Sequence, residues 1–168
     1  AGTGGNLVAP LDRWRPPAEW GVGAHTKHLK NLYIYFWRWA TWKVFDHDPV
    51  HETGIVCFIT VAGFLAGPGF QKMRDYMRRT CDDIWIIDCS PEGHQPEVNT
   101  RIFQGVQQPV CIVIASRSKT KKTDGQGMVH FRELPRGRRE LKFETLSKLR
   151  LSDGGWVAGP SEWRAPFL

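Results

Sequence analysis

The chain has 168 residues, enough for one domain with a real core, and its 41% hydrophobic content with 8 Trp, 3 Tyr and 9 Phe excludes a disordered polymer. Its 23 Lys and Arg against 17 Asp and Glu leave a net charge of +6, a balance compatible with a polyanionic partner but equally at home on a protein that binds none. No run reaches the roughly 18 apolar residues of a membrane span and no basic, apolar leader opens the chain, so the expectation is a soluble, cytoplasmic protein with no membrane partner.

Residues 1–23 are rich in Gly and Pro, carry little periodicity and read as an irregular lead-in. The glycines of Ala1 to Asn6 lack the preceding strand that a phosphate-cradling loop requires. From His25 to about Asp46 the spacing predicts one long helix. Leu29, Leu32, Tyr33, Phe36, Trp37, Ala40 and Val44 form one stripe, and Tyr35, Trp39 and Trp42 a second, the pattern of a helix wedged between two layers. Asp46-His47-Asp48-Pro49 ends it, because the residue before a proline resists helical geometry.

The stretch from Gly54 to Arg117 then reads β, α, β, β. Ile55 to Val61 is a β-branched run of the kind covered on both faces of a sheet. Gly67-Pro68-Gly69 punctuates the chain, and Phe70, Met73, Tyr76 and Met77 recur at helical spacing, with Lys72, Arg74, Arg78 and Arg79 between them. Ile84 to Ile87 is a second strand that stops at Asp88 before the loop Ser90-Pro91-Glu92-Gly93, and Val110 to Ala115 is a third. A crossover helix makes the first two strands parallel. The second and third lack one, so an antiparallel, hairpin-like pairing is expected. Farther on, Met128 to Leu134 alternates weakly as one more strand, and Arg138 to Leu149 forms a short amphipathic helix through Leu141, Phe143, Leu146 and Leu149. The apolar ending Phe167-Leu168 suggests a chain continued by something else.

Few constellations carry chemistry. Cys57, Cys81, Cys89 and Cys111 make no C-x-x-C pair and read as buried free thiols. His25 with His28, and His47 with His51, have metal-like spacings, but Pro49 interrupts the second pair and no carboxylate or thiol completes either, so no metal site is expected. Asp88-Cys89-Ser90 follows a strand without the glycines of a nucleophile elbow. In Asn99 to Val106, Phe103 stands on a polar loop just before the third strand. An exposed ring there stacks on a flat ligand such as a nucleobase, worth roughly 1 to 3 kcal/mol, whereas a buried one closes the core edge. Arg117, Lys119, Lys121 and Lys122, after that strand, either neutralise phosphates at the rim of the same face or are solvated.

These residues together carry a resemblance. Asn31 to Phe36 on a helix, Gly54 to Thr60 with Phe64-Leu65 after it, Met73-Arg74, Ile84 to Asp88, and Ile102 to Gln107 before Val110 to Ala115 look like the second half of an adenine-specific DNA methyltransferase. More narrowly, the chain resembles the large single-chain restriction-modification enzymes of type ISP. The resemblance covers about Pro16 to Arg117; it implies that 24–117 is the C-terminal half of a methyltransferase domain and 118–168 an extension toward a target-recognition region. The implied fold is α/β: part of an S-adenosylmethionine-dependent, Rossmann-like mixed sheet between helices, its last strands an antiparallel hairpin. The implied chemistry is methyl transfer from S-adenosylmethionine to the amino group of an adenine flipped out of double-stranded DNA. Phe103 matches the family's aromatic that stacks on that base.

Two family motifs are absent: the glycine-rich cofactor loop, and the Asn/Asp-Pro-Pro-aromatic motif, for which Arg15-Pro16-Pro17-Ala18 has only the prolines. No catalytic residue is therefore assigned. The expectation is a fragment, or half of a split enzyme, inactive without a missing N-terminal half. The alternative is a noncatalytic nucleic-acid-binding or assembly module with the same half-fold.

Overall fold

A computed structural model of the chain describes residues 11–47, 50, 52–93, 100–118 and 125–168. Helix α1, Leu32–Thr41, leads through a π-turn, Trp42–Asp46, into strand β1, Gly54–Val61. Helix α2, Gln71–Thr80, connects to β2, Asp83–Asp88, and then come β3, Val110–Arg117, β4, Met128–Glu133, helix α3, Arg139–Lys148, and the two-residue strand β5, Val157–Ala158. The α, β, α, β, β core expected from the sequence is present.

The sheet order is β1-β3-β2-β4-β5. β3 lies antiparallel between β1 and β2, which therefore run parallel without touching. β4 joins the far side of β2 in parallel register. Sequence order suggested the hairpin of β2 and β3, but not that β3 would pair with β1 along all of Gly54–Val61.

Directly paired residues share a face, so the register sorts the strands into two surfaces. Val56 and Phe58 of β1, Cys111, Val113 and Ala115 of β3, Ile84 and Ile86 of β2, and Val129 and Phe131 of β4 point to one side and belong to a single core with residues of both α1 and α2. Ile55, Cys57 and Ile59 of β1, Ile112 and Ile114 of β3, Trp85 and Ile87 of β2, and His130 of β4 point to the other. There Leu146 and Leu149 cover only the end occupied by Ile87 and Ile112. Ile55 and Ile59 stay 67% and 53% exposed on an edge strand. The strand read as covered on both faces is covered on one.

The expected long helix divides at Asn31, whose backbone is extended, into a 3-10 segment, Gly23–Lys30, and α1. The 3-10 segment contributes only Leu29 to the core and folds against the turn Pro68–Phe70; a Cβ on Gly69 would meet the His25 carbonyl oxygen at 2.3 Å. α1 buries Ile34, Trp37, Arg38 and Thr41, whereas Leu32, Phe36 and Trp39 face outward. The two expected stripes are thus both divided: Leu32 and Phe36 of the first and Trp39 of the second lie exposed, while Tyr35 of the second packs against the core. On the inner side Trp37 packs against Phe58 and Phe64 at 4.9 and 5.6 Å, worth about 1 kcal/mol per ring pair beyond the buried area.

Three further expectations change. The lead-in contributes a fully buried Trp14, against which Tyr76 packs at 5.5 Å. Phe167 is fully buried against Phe64, because Arg74 and Arg78 of α2 point inward and donate to the carbonyls of Pro160, Trp163, Arg164, Ala165 and Pro166. Burial lowers both guanidinium pKa values to about 10, still cationic at neutral pH. Cys57 is exposed, on the uncovered face; the other three cysteines are buried, and all four are free.

Candidate nucleic-acid interface

β1 and β2 run parallel, so their carboxyl ends share one rim of the sheet, the edge at which open α/β sheets present ligand sites. The loop between β2 and β3 rises from that rim. It begins at Asp88-Cys89-Ser90, where Ser90 is tied down on both sides: its backbone N–H donates to Asp88 Oδ1 at 2.8 Å and its Oγ accepts from the Val110 N–H at 3.0 Å. Burial raises the Asp88 pKa and pushes the Cys89 thiol up to about 12, so Cys89 is an inert buried group rather than a nucleophile.

Where the loop returns, burial gives way to exposure between Ile102 and Phe103. Arg101 and Ile102 are buried, Phe103 is 41% exposed, and Gly105 turns the chain with φ +79°, a conformation that favours glycine. Ile102 packs with Ile87, Cys89, Val110 and Leu134, so it and not Phe103 closes the core edge. The Phe103 ring is left facing solvent at the strand-end rim.

Two buried cations hold this loop from opposite sides. Arg101 Nη2, inside it, donates to the carbonyls of Gly93 and of Gln107, the latter at 2.8 Å. Lys142 reaches in from α3 and is fully buried; its Nζ donates to the Cys89 carbonyl at 3.1 Å, the Thr100 carbonyl at 2.8 Å and Glu92 Oε2 at 2.7 Å. Glu92 Oε1 also accepts from the Gly137 N–H at 3.0 Å. Burial pushes the Glu92 pKa up, but Lys142 and Gly137 pull harder and hold it below the usual carboxylate range.

Sequence reading missed both cations. It expected α3 to bury Leu141 and Phe143, which are 44% and 49% exposed, while Lys142 between them is the buried residue. α3 faces loop carbonyls and a carboxylate, a surface that a cation satisfies and a leucine does not. The available signal was that Leu141, Phe143 and Leu146 fall on no single helical stripe.

Arg117 stands at the other end of β3. Eight residues rising about 3.3 Å each separate it from the start of that strand by roughly 23 Å, so it does not share a rim with Phe103 as expected. Its guanidinium donates to the Phe45 and Glu52 carbonyls at 3.0 and 3.1 Å and lies over the Phe45 ring. Lys119, Lys121 and Lys122 lie outside the described residues.

The described residues do not build a cradle for S-adenosylmethionine. The glycines after β1 face their own chain, since a Cβ on Gly67 would meet the Gly63 carbonyl oxygen at 2.7 Å and Gly69 abuts His25. Tyr33, near this turn, keeps its phenol protonated, with burial pushing its pKa up to about 12. No step of methyl transfer is assigned to this chain. His25, His28 and His47 are exposed, His47 against the Trp42 ring, and His51 lies outside the described residues.

No protein-family model and no curated protein matches this sequence. Solved structures do. The nuclease-deletion mutant of the type ISP restriction-modification enzyme LlaGI, in complex with a DNA substrate mimic, is similar over 99% of this chain, with a TM-score of 0.72 and 15% identity. The DrdV–DNA complex is similar over 83%, with a TM-score of 0.66 and 21% identity. The ATP-dependent type ISP restriction-modification enzyme LlaBIII bound to DNA is similar over 88%, with a TM-score of 0.64 and 19% identity. The chain spans only 10 to 16% of the length of those proteins, and it shares with them the fold of one mixed α/β region.

Proposed function

We propose that this chain is the second half of the catalytic domain of a site-specific DNA adenine methyltransferase of the restriction-modification kind. Its partners are double-stranded DNA and a first half that carries the S-adenosylmethionine loop and the Asn-Pro-Pro-aromatic motif. The observation that carries the reading is the likeness of nearly the whole chain to a region of LlaGI, a protein whose structure holds a DNA substrate mimic. The antiparallel β2–β3 hairpin, with an exposed aromatic on its loop at the strand-end rim, supports it from the chain's own geometry.

In this reading Phe103 offers its ring face to the flipped adenine, a contact worth roughly 1 to 3 kcal/mol. Arg117, with Lys119, Lys121 and Lys122, meets backbone phosphates. The exposed face of Ile55, Cys57, Ile59 and Ile114 and the outer edge of β1, unpaired among the described residues, are where the first half completes the sheet.

The test is labelled methyl transfer from S-adenosylmethionine into duplex DNA. The chain alone transfers none; supplied with a first half that bears both missing motifs it does, and Phe103→Ala lowers the rate of that assembly at least tenfold. Transfer by the isolated chain overturns the reading. The alternative, a noncatalytic DNA-binding module, calls for a folded, monomeric chain that binds DNA with a steep salt dependence, and the exposed apolar sheet face speaks against it.

A further inference from the structure

We infer that Lys142 is a positioning residue for the Phe103 loop, so that α3, which lies between β4 and β5, sets the pose in which the aromatic ring is presented. The inference rests on the reading of Phe103 as a base-contacting residue, but its geometry stands by itself. Lys142 is fully buried, and among the described residues its Nζ donates to three groups of the β2–β3 loop: the Cys89 and Thr100 carbonyls and the Glu92 carboxylate. Cys89 and Glu92 lie where the loop leaves β2, and Thr100 lies where it returns, three residues before Phe103. One ammonium group therefore ties the two limbs of the loop together.

A lysine loses side-chain freedom when it is fixed, and burying its charge costs more. A position whose only task was to dock α3 on the sheet would be served by an apolar residue, as Leu146 and Leu149 serve it one and two turns later. What an apolar residue cannot do is bind two carbonyls and a carboxylate that belong to different limbs of one loop. Arg101 completes the arrangement from within, joining Gly93 to Gln107. Ile102 anchors the returning limb in the core, and Phe103, next along, is directed outward. If α3 shifts, the ammonium shifts with it, and the ring must follow or the three bonds must break. The helix between β4 and β5 is thereby coupled mechanically to the residue proposed to hold the base.

The experiment uses the full chain with 4-fluorophenylalanine in place of Phe103 and reads its fluorine resonance, together with amide exchange over residues 100–107. The native chain gives one narrow line. Lys142→Met, which keeps the length of the side chain and removes the charge, splits or broadens that line and raises exchange in the loop tenfold or more while α3 stays helical by circular dichroism. Glu92→Gln, which keeps an oxygen acceptor, moves both readouts the same way by less. Thr145→Ala, on the same helix but with its hydroxyl donating to the Leu141 carbonyl, moves neither. If Lys142→Met melts α3, Glu92→Gln decides the matter alone. An unchanged line and unchanged exchange in Glu92→Gln and in any folded Lys142→Met overturn the inference. Base contact is judged separately, by the fluorescence quenching of a 2-aminopurine duplex in the assembled enzyme. If Phe103→Ala leaves the quenching intact, the base reading fails even where the loop is shown to be pinned.

Discussion

The two faces of the sheet are built from the same kinds of residue and have different fates. On one, Val56, Phe58, Val113, Ile84 and Ile86 meet Trp37 of α1 and Met73 and Met77 of α2 in a closed core. On the other, Ile55, Cys57 and Ile59 stay exposed, while Ile112, the cross-strand partner of Ile59, and Ile87 beyond it are roofed by Leu146 and Leu149. An antiparallel sheet that ordinarily faced water would carry polar residues on that side. Here a β-branched run that is apolar on both faces is covered on one and leaves an apolar patch in solvent on the other, the surface on which the proposed first half would pack.

The largest effect expected from disturbing this asymmetry lies on the closed face. Trp37→Ala removes a ring that is 1% exposed and packed against two phenylalanines, at a cost of about 3 to 5 kcal/mol. In a domain of this size that is a fall in Tm on the order of 10 °C, read by thermal unfolding. A chain that loses less than about 1 kcal/mol would show that the closed face is not closed in solution.

Next comes the knot that binds α1 to α2. Asp46 accepts from Arg38 Nη1 at 2.9 Å and from the Tyr76 hydroxyl at 3.0 Å, and the Arg38 guanidinium lies over the Trp14 and Tyr76 rings. Asp46→Asn keeps the shape and removes the charge. Because Asp46 retains 20% exposure, the loss is about 1 to 3 kcal/mol rather than the full cost of breaking a dry ion pair. Chemical denaturation reads it as a lower midpoint with an unchanged slope.

Sequence periodicity found the strands because local apolar runs determine them. It could not find the place of β3, since pairing with β1 joins residues 49 to 63 positions apart and nothing local encodes that choice. It placed an exposed aromatic at Phe103 as one of two options, and Ile102 beside it decides for exposure: one of two adjacent residues on a returning loop fills the core, and the other is left outside. Arg74, Arg78, Arg101 and Lys142 were illegible for one shared reason. A charged residue in sequence reads as solvent-facing, and only the folded chain reveals the carbonyls that replace water around it.

Smaller still is the pH response of the loop. The Glu92 pKa is lowered in the folded chain, so its contribution is fully present above the unfolded carboxylate value, about 4.3, and is lost as pH falls through the lower folded value. Asp88, raised chiefly by burial and further by Glu133 and Glu92, has the opposite sign and takes up its proton first. Protection of the 100–107 amides, corrected for intrinsic exchange, should therefore hold steady or rise slightly from pH 7 to about 5 and collapse below about 4. A loop that loosens steadily from pH 7 downward would mean that Glu92 does not keep its charge against Lys142.

The smallest change in stability is expected where the sheet is open, and it separates the two faces most sharply. Ile55→Thr with Ile59→Thr keeps the β-branching that suits a strand and alters side chains that touch no core, so unfolding should move by no more than about 0.5 kcal/mol per site. The same pair should lower the binding of an apolar dye to the isolated chain and reduce its self-association, because the patch that drives both becomes polar. If a first half docks its layer there, the doubly substituted chain should also fail to restore methyl transfer in the two-part assay although it is as stable as its parent. A substitution that is silent in the half and disabling in the whole has one physical explanation: the free energy of Ile55 and Ile59 is realised only when another layer buries them. Should the variant complement a first half as well as the parent does, the open face is a solvent surface and the missing half joins at the outer edge of β1 instead.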